Sequence, residues 1–152
     1  MKKIQHLVAA FAFTMALTAC VTSESEMLRQ ARSIQDETVK SATSLDSVMD
    51  SRLTKLEQER NLMAQDTTMS TDSLKMQSFS QLKDKIDNLQ SIRGELTNWK
   101  TELKLLPTVQ ELESGKENPF GDKKKDQEIL AEIKKSQENF NTLKLKAEAA
   151  MK

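Results

Sequence analysis

Leucine recurs at every seventh position through Leu82, Leu89, Leu96 and Leu103, and Phe79, Ile86, Ile92, Trp99 and Leu106 flank that ladder at spacings of three and four. A repeat of this kind fits a helix that lays one apolar stripe against partner helices. The flanking set slips by one position near Gly94, as a straight 3.6-residue helix drifts against a seven-residue repeat. Tight turns are scarce, because the three Gly and two Pro of the 152 residues all lie at or beyond position 94. That scarcity excludes a sandwich or barrel rich in turns, and it excludes disorder driven by Pro and Gly. The fold class expected is all-α: an elongated three-helix bundle, built as an antiparallel coiled-coil hairpin plus a C-terminal helix after an N-terminal signal peptide.

The helices are expected at about 24–66, 72–106 and 122–150, with a loop over 107–121. In the first, Met27, Leu28, Ala31, Ile34, Ala42, Leu45, Val48, Met49, Leu53, Leu56, Leu62 and Met63 trace one face. If continuous it is about 64 Å long. Ser23 and Glu26 read as its capping box. Many Ser and Thr in its middle have mediocre helix propensity, so packing must hold it. Thr67 to Asp72 break the pattern with turn and N-cap residues, which predicts a hairpin. Pro107 is expected to stop the second helix, with a helical turn at Val109 to Glu113 inside the following loop. The third helix, from Asp122 or Asp126, carries Ile129, Ile133, Ser136, Phe140, Leu143, Ala147 and Ala150 on one stripe. Pairs at i,i+4 on the outer faces (Asp36 with Lys40, Lys83 with Asp87, Lys134 with Glu138, Lys144 with Glu148) are worth at most a few tenths of a kcal/mol each, roughly, because three of the four place Lys first.

The first nineteen residues differ in kind. Lys2 and Lys3 precede a run from Leu7 to Ala19 interrupted only by Thr14 and Thr18, the layout of a secretory signal peptide. The run spans about 20 Å as a helix, against a hydrocarbon layer of about 30 Å. It is too short for a permanent membrane span. Leu17-Thr18-Ala19-Cys20 resembles the lipobox of bacterial lipoproteins. That resemblance implies cleavage between Ala19 and Cys20, a diacylglyceryl thioether on the Cys20 sulfur and acylation, such as by palmitate, of the new amine. Residues 1–19 are then the signal peptide, 20–25 a short lipidated tether and 26–152 the helical bundle. Ordinary signal cleavage would instead leave Cys20 a free thiol; a cut after Ala19 would place bulky Leu17 at the −3 position, while Thr14-Met15-Ala16 offers a passable alternative cut. A single Cys cannot form an internal disulfide, and lipidation accounts for the odd count. Three acyl chains make release from the membrane negligible.

Val21 stands where Asp retains enteric lipoproteins in the inner membrane. By that resemblance the outer membrane of a bacterial envelope is favoured, at its periplasmic face or, given the acidic Thr22 to Glu26 stretch, at the cell surface. Leu45-Asp46-Ser47-Val48-Met49-Asp50 in the first helix and Asn98-Trp99 in the second, with the loop and terminal helix, are similar to small Bacteroidota lipoproteins labelled viral A-type inclusion protein. No functional residue is implied by that label.

Removing residues 1–19 leaves 21 bases against 23 acids. It also removes His6, the one His, and the chain has no Tyr. The usual neutral-pH base and transition-metal ligands are therefore missing, and neither a haem motif nor a phosphate or calcium loop is present. No catalytic residue, metal ligand or cofactor is assigned, and the chain is not expected to be an enzyme. Glu57 with Glu59 and Glu111 with Glu113 are the nearest approach to a two-carboxylate site, yet residues two apart on a helix point to different faces. Lys123-Lys124-Lys125 is bracketed by Asp122 and Asp126 and lacks interleaved aromatics, so nucleic acid is not an expected partner; contact with acidic headgroups or polysaccharide is the functional alternative to a solvated helix start.

The leucine ladder is expected to pack internally, with a homodimer seam as the alternative. Trp99 reads as a core anchor, and Asn118-Pro119-Phe120 as a turn that pins the loop onto the bundle. The partners expected are the membrane, through the lipid anchor, and an unidentified envelope protein. The function expected is a structural or protein-interaction role. The alternative is a chaperone-like, client-binding periplasmic module, for which Met27, Met49, Met63, Met69, Met76 and Met151 would supply an adaptable surface.

Overall fold

A computed structural model of the protein describes residues 24–66, 68, 71–121 and 123–152. The expected signal peptide, the Ala19–Cys20 cleavage point, the lipidated Cys20, Ser23, Met69 and Asp122 lie outside the described residues. The described chain is an all-α bundle of four helices: α1 (Glu26–Ala64), α2 (Ser73–Glu102), the short α3 (Val109–Glu113) and α4 (Asp126–Ala150).

Helix α1 starts behind Ser25, whose hydroxyl accepts the Leu28 N–H at 3.2 Å, so the observed N-cap is Ser25. Asp72 caps α2 by accepting from the N–H groups of Leu74 and Lys75. In the turn between them, Asp66 takes a hydrogen bond from Lys75 at 2.6 Å and two from Thr68. These contacts hold its carboxyl well below the usual carboxylate range, Lys75 first. The α3 turn expected at Val109 to Glu113 is present. It ends in a Schellman motif: Gly115, at φ +89°, donates to the Leu112 carbonyl and Lys116 to that of Glu111, a geometry that favours glycine.

Cross-helix contacts set the topology. Asp46 on α1 accepts from Arg93 (3.0 Å) and Lys100 (2.7 Å) of α2, and Glu57 accepts from Gln90. The two helices are therefore antiparallel. On the other side of α2, Trp99 reaches Ser136 and Glu95 pairs with Lys146 of α4, which makes α4 antiparallel to α2 and parallel to α1. This register brings the end of α4 level with the middle of α2. Past it, the hairpin continues as two helices.

The main core gathers Leu45, Met49, Leu53 and Leu56 of α1, Ile86, Leu89, Leu96 and Trp99 of α2, and Phe140 and Ala147 of α4. Leu82, Leu89 and Leu96 are buried within this one chain and Leu103 is half-buried, so the ladder has its partners in α1 and α4. A second cluster, Ala31, Phe120, Ile129 and Ile133, closes the end near Glu24.

Three expectations need correction. Helix α2 ends at Glu102, four residues before Leu106, and Leu103 is already extended (φ −66°, ψ 117°). The α1 face is also not the apolar set read from spacing: Val48 and Leu62 are exposed, while Gln35 and Thr38 are buried in their stead. Of the four i,i+4 pairs, only Lys144 with Glu148 closes, at 3.9 Å.

Candidate functional site

The strap between α2 and α3 is held by side chains of α1. Gln35 is only 4% exposed. Its Nε2 donates to the Lys104 carbonyl at 2.6 Å, and its Oε1 accepts the Leu106 N–H at 2.8 Å. One turn earlier, Arg32 donates to the carbonyls of Leu106 (3.2 Å) and Pro107 (3.0 Å). The same guanidinium grips Glu24 Oε1 at 2.7 Å through Nη2 and at 3.2 Å through Nε. Arg29 adds bonds to the Glu24 carbonyl. The first described residue is thus tied to α1 and, through Arg32, to the strap. Thr38 satisfies its buried hydroxyl on the Ile34 carbonyl at 2.6 Å, so both polar residues in the α1 core stripe have partners.

Around this clasp lies an open groove of about 440 Å³, lined on its apolar side by Leu28, Leu106, Pro107, Leu112 and Ile129, with Arg32 and Lys124 on its rim. A smaller cavity, about 230 Å³, sits where Trp99, Leu103, Phe120 and Ile133 meet under Lys104 and Lys135. Trp99 is buried, donates from Nε1 to the Ser136 carbonyl at 3.1 Å and tilts against Phe140 with ring centroids 5.3 Å apart. Phe120 is buried too, with its N–H on Asn118 Oδ1, and it fastens the loop to Ala31, Ile129 and Ile133.

The candidate carboxylates do not converge. Glu57 takes a hydrogen bond from Gln90, whereas Glu59 is exposed. Glu111 closes a capping box with Thr108. Its carboxyl is held down to about 2, first by Lys116 at 2.6 Å and then by Thr108, while Glu113 is exposed. In the basic run, Lys124 pairs with Glu132 and lowers that carboxyl, and Lys123 and Lys125 are exposed. Of the described methionines, Met49 is in the main core with Met63 and Met151 packed against it, and exposed Met27 and Met76 lie towards opposite ends of the hairpin. Among the described residues, no group of three or more His, Cys, Asp or Glu is placed to hold a metal ion, and no helix is long and apolar enough to cross a membrane.

Sequence reasoning missed Gln35, Thr38 and Arg32. The signal was present as a gap: the apolar face skips from Ile34 to Ala42, and Gln35 and Thr38 stand at the phase a core residue would take. No protein family, curated protein or solved structure matches this chain.

Proposed function

We propose that the chain is a lipid-anchored helical lipoprotein of a bacterial envelope, favouring the outer membrane, with a structural or protein-docking role and no catalysis. The observation that carries this reading is the Leu17-Thr18-Ala19-Cys20 motif six residues ahead of the first described helix, α1. Anchored there, α1 would stand as a rod about 58 Å long. Its N-terminal end would face the bilayer and the α1–α2 tip would face away. A mixed-charge surface, with neither Glu57 and Glu59 nor Glu111 and Glu113 converging, suits a presented scaffold better than a reaction centre.

Palmitate labelling and processing of the Cys20→Ser variant test the anchor. Loss of label with accumulation of the unprocessed precursor supports the reading; normal processing and release of soluble protein refutes it. Crosslinking in native envelopes tests the role, with recovery of one defined partner as the outcome expected. Suppression of aggregation of a denatured test protein at near-stoichiometric ratio would favour the client-binding alternative instead.

A further inference from the structure

Resting on that reading, we infer that the clasp end of the bundle is itself a membrane-contact surface, with the groove beside Glu24 opening onto the bilayer that holds the Cys20 lipid. Three observations meet there. First, Glu24 is fixed by Arg32, which also holds Leu106 and Pro107. The spacer to Cys20 is therefore residues 21–23 alone, and Cys20 lies within about 14 Å of Glu24 even when the chain is fully extended. Second, the lipidated sulfur belongs at the boundary of hydrocarbon and headgroups, and the headgroup layer is about 5–8 Å thick on each side. The gap beneath the bundle is too narrow for a folded partner, whose diameter is about 30 Å. Third, this end leaves large apolar side chains uncovered: Met27 is 45% exposed, Leu105 56% and Leu112 43%. Leu112 also lines the groove, together with Leu28, Leu106 and Pro107.

An apolar surface held this close to a bilayer gains by entering the interface, as an amphipathic helix does. Charges of both signs, Glu24, Glu113 and Asp126 with Arg32 and Lys124, line the same groove, and Lys116, Glu117 and Lys123 are exposed along the segment beside it. The contact therefore draws on burial of apolar surface, and it does not require anionic lipid.

The test uses the full mature lipoprotein purified from cells, with acylation of Cys20 verified by mass. An environment-sensitive fluorophore is attached through Leu112→Cys, or through Leu62→Cys at the far tip as a control, both sites being well exposed. Each protein is reconstituted into phosphatidylcholine vesicles with and without brominated lipid, and again with phosphatidylglycerol added. The expected result is blue-shifted emission at position 112, quenched several-fold more than at 62, and unchanged by phosphatidylglycerol. Equal, water-like emission at the two positions overturns the proposal and leaves the lipoprotein reading standing. A blue-shifted label at 112 that bromine does not quench also overturns it, because the protein's own acyl chain would then fill the groove. A purified chain without acyl mass at Cys20 sinks both.

Discussion

The Leu106 N–H donates to the side-chain oxygen of Gln35 at 2.8 Å, across 71 positions of sequence. With the second bond, from Gln35 Nε2 to the Lys104 carbonyl, one buried amide takes over both of the hydrogen bonds that a continued helix would have supplied locally. Pro107, which is buried, then turns the strap towards α3. A proline disfavours helical geometry in the residue before it, and here the departure begins earlier, at Leu103, because an acceptor and a donor on another helix are waiting.

Removing that amide should be costly. Gln35→Leu leaves the Lys104 carbonyl and the Leu106 N–H without their partner, a loss of about 1–3 kcal/mol. Urea denaturation followed by circular dichroism should show a lower midpoint. Hydrogen exchange should show faster exchange at Leu106, with the distal α1–α2 tip unaffected; an unchanged midpoint would mean that water replaces the amide freely.

The indole of Trp99 separates hydrogen bonding from packing. Trp99→Phe keeps a ring against Phe140 but loses the bond to the Ser136 carbonyl, and should cost about 1 kcal/mol from the hydrogen bond. Trp99→Ala should cost about 3–5 kcal/mol. In the native protein, this one Trp should emit at short wavelength and shift to the red in step with loss of helicity.

Asp46 makes stability depend on acid. The hydrogen bond from Lys100, and then that from Arg93, hold its carboxyl below the usual Asp value. A depressed pKa in the folded state means stabilisation that is present above the unfolded pKa, near 3.8, and is lost as pH falls through the folded one. The side chain is 31% exposed, so solvent screening keeps the effect on the order of 1 kcal/mol or less. Urea midpoints at pH 7 and pH 3 should differ less in Asp46→Asn than in the native chain. An equal acid sensitivity in both would count against the pair.

Gly94 lies in the interior of α2, is exposed, and a Cβ built there meets nothing within 4 Å. Gly94→Ala should therefore stabilise the protein by about 0.5–1 kcal/mol, through backbone entropy alone. A thermal midpoint that fails to rise would show that the slip in the leucine repeat here needs glycine for another reason.

The stripes of α2 and α4 were legible because nearly every position on them is apolar and evenly spaced. Leu82, Ile86, Leu89, Ile129, Ile133 and Phe140 are buried as their spacing predicts. The first helix was legible through its middle, where Ala42, Leu45, Met49, Leu53 and Leu56 are buried as read, and blurred before Ala42, because a core position need not be apolar if its polar atoms are satisfied. Thr38 manages that locally, on Ile34. Gln35 manages it only with a strap from far along the chain. The cross-helix ion pairs that do form, Asp46 with Lys100 and Glu95 with Lys146, are none of the pairs that i,i+4 spacing named, because local spacing says nothing about such distant cations.

Periodicity was enough for the helical class and for the burial of Leu82, Leu89 and Leu96, because which side of a helix must leave water is written in neighbouring residues, and local turn chemistry was enough for the hairpin and the loop. Where α2 ends, which polar groups enter the core, and how Glu24 is tied to the strap are decided only when the helices come together. Each depends on hydrogen bonds between groups tens of residues apart, and a buried donor has to find its acceptor wherever the fold delivers one.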